Sequence, residues 1–157
     1  MVLIKQEFID DMVAHAKADL PNECWGILAG PDDNVTKVFR MTNVAASPFR
    51  FEPDPKEQIQ VDQELGDEGW DLLVEYHSHT KSEASPSDTD VRESVGIKWF
   101  WPDVRFIVVS LMDMDNPAVR IFDITDGVIT EEPLEIVRSL LRRVSDWFKS
   151  IRNSSMD

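Results

Sequence analysis

The sequence predicts a mixed α/β domain, a central sheet flanked by helices, and three observations predict it. Apolar runs of strand length occur at residues 24–30, 70–76 and 104–111, each bounded by turn signals. Stretches with apolar residues at helical spacing fall between and around them. Strands interleaved with helices, rather than segregated from them, are the pattern of a layered α/β domain.

In chain order, Val2 to Ile4 reads as a short strand. From Gln6 to about Ala18, Phe8, Ile9, Met12, Val13 and Ala16 recur at helical spacing with acids early, and Pro21 closes the helix. His15 lies on it with no ligand partner at a suitable spacing, so it is expected to be an exposed or packing residue. Cys24 to Gly30 is a buried strand. The turn cluster Gly30-Pro31-Asp32-Asp33-Asn34 follows, and Val35 to Met41 returns as the second arm of a hairpin. Pro48 to Asp54 is irregular. Pro55 suits the first position of a helix that carries Ile59, Val61 and Leu65 and is expected to stop at Gly66. Trp70 to Tyr76 is a core strand delivering His77 and His79 at its end, and a short helix is expected from Pro86 to about Val95. Val104 to Leu111 and Ala118 to Asp123 are further strands, and Val128 to Thr130 is a short last one. Leu134 to Ile151 has a regular apolar stripe of Val137, Leu140, Leu141, Val144, Trp147, Phe148 and Ile151. Its other face is basic, so it either docks on the acidic body or forms a dimer or partner interface.

A chain of 157 residues is one domain with a sizeable core, and 42% hydrophobic with 29% charged residues is a globular composition. The expected division is a main domain over 1–133, a C-terminal amphipathic helix over 134–152 packed on it, and a disordered tail over 153–157. Net charge is −14, which repels phosphate backbones and argues against nucleic acid. It serves solubility or steers a basic or neutral protein partner. Only four residues precede Lys5, far short of a signal-peptide core, and no run reaches membrane-spanning length, so no membrane partner and a cytoplasmic location are expected. The single cysteine, Cys24, rules out an internal disulfide.

The chemistry concentrates in residues 75–90. His77 and His79 are two apart on an extended segment and point to one side, so both imidazoles reach one ion. Asp90 can complete the two-His, one-carboxylate set of a catalytic zinc site, with Ser87 beside the open position. Ser87-x-x-Asp90 after Pro86 is also a helix start, with Ser87 as N-cap, and both readings can hold together. Two of the three histidines of the chain lie here. Glu75 shares their strand face and is one candidate for general base. Cys24 reads as a buried strand cysteine. The sequence contains no HExxH, P-loop, G-x-S-x-G or deaminase P-C-x-x-C motif.

Glu23, His77-Ser78-His79 and Ser87-x-x-Asp90 together resemble the signature of the JAMM (MPN+) zinc metalloprotease family, a distant Glu followed by H-[ST]-H-x7-S-x2-D. Pro21 to Gly30 is similar to the family's strand bearing the catalytic Glu, with Gly26 three residues on, and the resemblance covers roughly residues 1 to 137. Within the family it resembles the bacterial branch that releases cysteine from a sulfur-carrier protein. The resemblance implies the JAMM/MPN fold, similar to the cytidine-deaminase-like architecture. It also implies Zn2+ held by His77, His79 and Asp90, with Glu23 rather than Glu75 as proton carrier and Ser87 as an oxyanion donor. The implied reaction is hydrolysis of the amide after the C-terminal Gly-Gly of a ubiquitin-like sulfur carrier, releasing cysteine. Alternatives are a broader isopeptidase for lysine-linked conjugates and a non-catalytic MPN binding module. A homodimer is also possible. Trp25 departs from the small or thiol residue usual before Gly26. The aromatic run Trp99-Phe100-Trp101 departs too, and serves either as a platform for an extended peptide or as a plug on the sheet.

Overall fold

In a computed structural model, which describes residues 1–137 and residue 151, the chain runs β1 (Leu3–Lys5), α1 (Gln6–Ala18), β2 (Trp25–Gly30), β3 (Lys37–Met41) and α2 (Pro55–Glu68). It continues with β4 (Asp71–His79), α3 (Asp88–Phe100), β5 (Arg105–Ser110), β6 (Ala118–Thr125), β7 (Val128–Glu132) and β8 (Glu135–Val137). Six strands form one mixed sheet in the order β3-β2-β4-β5-β6-β7, and β1 pairs with β8 in a second, two-stranded sheet. The expected mixed α/β architecture is what forms.

Burial periodicity explains the layers. α1 buries Ile9, Met12 and Ala16 against Leu28, Val74, Tyr76 and Ile107 on one face of the sheet. On the other face, α2 buries Val61 and Leu65 among Trp25, Ile27, Leu72 and Phe106, and α3 leans Val91 and Ile97 on the same cluster. β2 and β3 form the expected hairpin, whose turn places Asp32 and Asp33 at φ 49° and 61°. β4 and β5 are parallel and adjacent, joined through α3, so the carboxyl end of β4 opens at a crossover, where α/β sheets present their ligand sites.

Three boundaries differ from expectation. α2 runs through Gly66 and is capped by Gly69, whose φ of 67° needs the freedom glycine has there. Gly66 is exposed and its helical cost of about 1 kcal/mol does not end a helix anchored by Leu65. α3 continues past Val95 to Phe100, because Ile97 packs on the core and Lys98 Nζ reaches Asp123 at 2.6 Å and Thr125 at 3.0 Å. The helix expected from Leu134 does not begin there. Glu135–Val137 instead pair in parallel with Leu3–Lys5, so ladder hydrogen bonds override the helical periodicity at the start of the stripe. The remainder of that stripe, 138–150, and the tail lie outside the described residues, and residue 151 is helical.

Candidate metal centre

β4 is buried along most of its length, which fixes the two histidines at its end on a rigid element. His77 and His79 are 3% and 7% exposed. Asp90 joins them from the first turn of α3, where the helix N-terminus favours a carboxylate. Ser87 caps this helix: Asp90 N–H donates to Ser87 Oγ at 3.2 Å, and Ser87 N–H donates to Asp90 Oδ2 at 2.7 Å. The helix-start reading and the cluster therefore coexist.

Three donor atoms converge. His77 Nε2 lies 3.1 Å from His79 Nε2 and 3.1 Å from Asp90 Oδ2, and His79 Nε2 lies 3.2 Å from the same oxygen. The Glu83 carbonyl, 2.8 Å from His79 Nδ1, can only accept, so Nδ1 carries the proton and Nε2 is directed at the shared point. Two imidazole nitrogens and a carboxylate oxygen this close repel one another unless a proton or cation lies among them. With bonds of about 2.0 Å, tetrahedral ligand atoms stand about 3.3 Å apart, so these residues fit a zinc ion.

The electrostatics agree. Burial alone would raise the Asp90 carboxyl, but hydrogen bonds to His77 and His79 hold it well below the usual carboxylate range. Burial works against the protonated His79 ring, whereas Asp90 and the Glu83 carbonyl raise its pKa above the ordinary value.

Glu23 precedes β2 and is 6% exposed. β2 pairs with β4 so that Trp25 stands opposite His77, and Ser78 N–H donates to the Cys24 carbonyl at 3.0 Å. Continued one step, this register brings Glu23 level with His79. Glu23 is held by its backbone: its N–H donates to Ser47 O at 2.9 Å, and the Asn43 amide donates to its carbonyl at 2.9 Å. Its carboxyl is pushed up to about 7, chiefly by burial, lowered somewhat by His79 and raised by Asp90. Glu75, on the same strand face, is also pushed up to about 7 by burial and by Asp90 and Glu93. It lies two residues below His77 along β4, away from the strand end where Glu23 enters.

Cys24 is buried with its thiol pushed up to about 12, which makes it a packing residue rather than a nucleophile. His15 belongs to the opposite face, buried with Nδ1 2.7 Å from Tyr76 Oη. Phe51 is a neighbour that sequence reasoning did not single out. Its ring stacks on Trp25 at 5.4 Å between centroids and tilts against His77 at 5.3 Å, so Trp25 buttresses His77 through it. It sits in the irregular segment before Pro53, where no periodicity marks it.

A family model described as prokaryotic homologs of the JAB domain matches residues 5–124. The chain is 37% identical over 139 residues to the CysO-cysteine peptidase of Mycobacterium tuberculosis, spanning 87% of this chain and 92% of that protein. It is 35% identical over 108 residues to a desampylase of Haloferax volcanii, spanning 64% of this chain and 74% of that protein. The solution structure of a protein from Desulfitobacterium hafniense superposes with a TM-score of 0.76 at 30% identity, covering 90% of this chain and 97% of its own.

Proposed function

Since the chain belongs to the family of prokaryotic JAB-domain proteins, we propose that it is a zinc-dependent peptidase acting on a ubiquitin-like sulfur carrier. It hydrolyses the amide bond after the carrier's C-terminal Gly-Gly and releases cysteine. The observation that carries this reading is the triangle of His77, His79 and Asp90 donor atoms with a buried carboxyl, Glu23, at the same strand end. The 37% identity to a CysO-cysteine peptidase supports the choice of leaving group.

In this mechanism His77 Nε2, His79 Nε2 and Asp90 Oδ2 would hold a zinc ion. When bound, the ion supplies Lewis-acid polarisation and makes water acidic enough to ionise near neutrality. The Glu23 carboxylate takes a proton from the attacking water and returns it to the leaving nitrogen as the C–N bond breaks. Ser87 Oγ accepts from the Asp90 N–H, which leaves its own hydroxyl proton free to donate to the scissile carbonyl oxygen as charge develops there. The products are the carrier's carboxylate and the free amine. Similarity to a desampylase supports a second reading, isopeptide hydrolysis of lysine-linked conjugates.

The test is to incubate zinc-loaded protein with a Gly-Gly carrier bearing a C-terminal cysteine, beside a lysine-linked conjugate, and to follow both by mass spectrometry. Cysteine release that disappears in Glu23→Ala is expected. Cleavage of the lysine conjugate alone would replace the first reading by the second. Failure to cleave either would leave a non-catalytic binding module.

A further inference from the structure

Glu23 stands just outside the part of the chain that the sheet holds. Its neighbour Cys24 exchanges two hydrogen bonds with Ser78 of β4, but both peptide groups of Glu23 bond elsewhere. The N–H donates to Ser47 O at 2.9 Å, and the carbonyl accepts from Asn43 Nδ2 at 2.9 Å. The segment between β3 and α2 therefore sets where the Glu23 backbone, and with it the carboxyl, stands.

Asn43 organises that segment through one carboxamide. Its Nδ2 donates to Glu23 O at 2.9 Å and to Arg50 O at 3.0 Å, and its Oδ1 accepts from Ala45 N–H at 3.1 Å and from Glu52 N–H at 3.0 Å. An amide has two donor hydrogens and one oxygen with two lone pairs, so every capacity is used. Two carbonyls face the nitrogen and two N–H groups face the oxygen, so only one orientation of the amide satisfies them. Val44 N–H donates to Glu52 O at 3.0 Å, which ties the two ends of the 43–52 loop together. The loop also reaches β4: Thr80 Oγ1 donates to Pro48 O at 3.3 Å, and the Phe51 ring packs on His77. One half-buried side chain thus joins Glu23 to a loop fastened at the end of the strand that bears both histidines.

We propose that Asn43 is a positioning residue for Glu23, whose carboxyl it holds in place beside His77, His79 and Asp90 by bonding the Glu23 backbone to the 43–52 loop. This rests on the reading of Glu23 as the proton carrier. Aspartate at position 43 keeps the two acceptor bonds to Ala45 and Glu52 but loses both donors, so an oxygen then faces the Glu23 and Arg50 carbonyls. Glu23 is released while the loop keeps its turn. A reacting group misplaced by about 1 Å costs about a hundredfold in rate, whereas His77, His79 and Asp90 stay where β4 and α3 put them.

Zinc-loaded Asn43→Asp and parent protein are compared on whichever conjugate the parent cleaves. The variant's kcat should fall about a hundredfold, with KM within about threefold of the parent and zinc content unchanged. Hydrogen exchange followed by NMR needs no cleavage. There the Glu23 amide should lose protection by at least about tenfold, while the Ile107 amide, at the centre of the sheet, keeps its own. A general loss of stability would lower both together. Should Asn43→Asp misfold, Asn43→Ser replaces it with the same expectations, because a serine hydroxyl still accepts the turn bond from the Ala45 N–H. An unchanged kcat in a folded variant, a raised KM with kcat intact, or parent-like protection of the Glu23 amide overturns the assignment. If the parent cleaves neither conjugate, the proposed reaction falls, and the exchange result alone decides whether Asn43 holds Glu23: lost protection leaves that bond standing, and retained protection removes it as well.

Discussion

Cys24 and Ser78, 54 positions apart, hold each other by two hydrogen bonds: Ser78 N–H donates to the Cys24 carbonyl at 3.0 Å, and Cys24 N–H donates to Ser78 Oγ at 2.8 Å. Both residues are fully buried. The middle residue of His77-Ser78-His79 thus points to the opposite face from the two imidazoles and fastens the entry of β2, with Glu23 next to it, against the end of β4.

Ser78→Ala leaves the Cys24 N–H buried without an acceptor. The expected loss is about 1–3 kcal/mol in urea denaturation. An unchanged midpoint would mean that Cys24 N–H has another acceptor and that Ser78 does not fasten the two strands.

Zinc should stabilise the fold by binding only the native arrangement of His77, His79 and Asp90. At a free concentration of about 100 times Kd, the gain is about 2.7 kcal/mol, readable as a rise in Tm. The His77→Ala/His79→Ala variant should show no zinc-dependent rise. A rise of equal size in that variant would place the ion elsewhere.

Glu23 makes the metal-free protein sensitive to pH. Its carboxyl moves from an ordinary 4.5 to about 7 on folding, chiefly by burial, so the native state favours the protonated form. That contribution is fully present below about pH 4.5 and is lost as the pH rises through about 7, a difference of about 3 kcal/mol. Glu23→Gln should flatten this part of the stability curve between pH 5 and pH 8. A variant and parent with parallel curves would show that Glu23 ionises freely in the folded protein.

Ser87→Ala separates the cap from the chemistry. Loss of the N-cap side chain costs about 1 kcal/mol of stability, whereas loss of an oxyanion donor lowers kcat about a hundredfold or more. Both effects are expected, with zinc content unchanged. A drop in Tm with normal turnover would reduce Ser87 to its capping role.

Gly26 and Tyr76 stand opposite each other in the β2–β4 pair, and a Cβ on Gly26 would run into the Tyr76 ring. The ring in turn bonds His15 through its hydroxyl. Gly26→Ala therefore forces the strands apart beside Glu23, with an expected loss of about 1–3 kcal/mol by thermal unfolding. Wild-type stability in this variant would show that the ring can move aside.

Much of the site was legible because its signals are local. His77 and His79 share a face through the two-residue repeat of a strand, and Ser87 with Asp90 marks a helix start in any context. The bounds of α1 and the β2–β3 hairpin were legible for the same reason, from apolar spacing and a turn cluster. Phe51 was not, because nothing in an irregular segment shows which ring it will touch. The end of α2 was misplaced because Gly66 and Gly69 look alike in sequence, and only the left-handed φ at Gly69 distinguishes the cap.

By itself, the sequence determined the element order through β7 and the spacing of His77, His79, Ser87 and Asp90 on β4 and α3, since these follow from periodicity and capping. Tertiary structure decided that Glu23 stands level with His79, that Trp25 reaches His77 through Phe51, and that Glu135–Val137 leave the expected helix for a strand. The physical reason is that strand register and inter-layer packing are set by hydrogen bonds and contacts between distant segments, whose energies no local window of the chain contains.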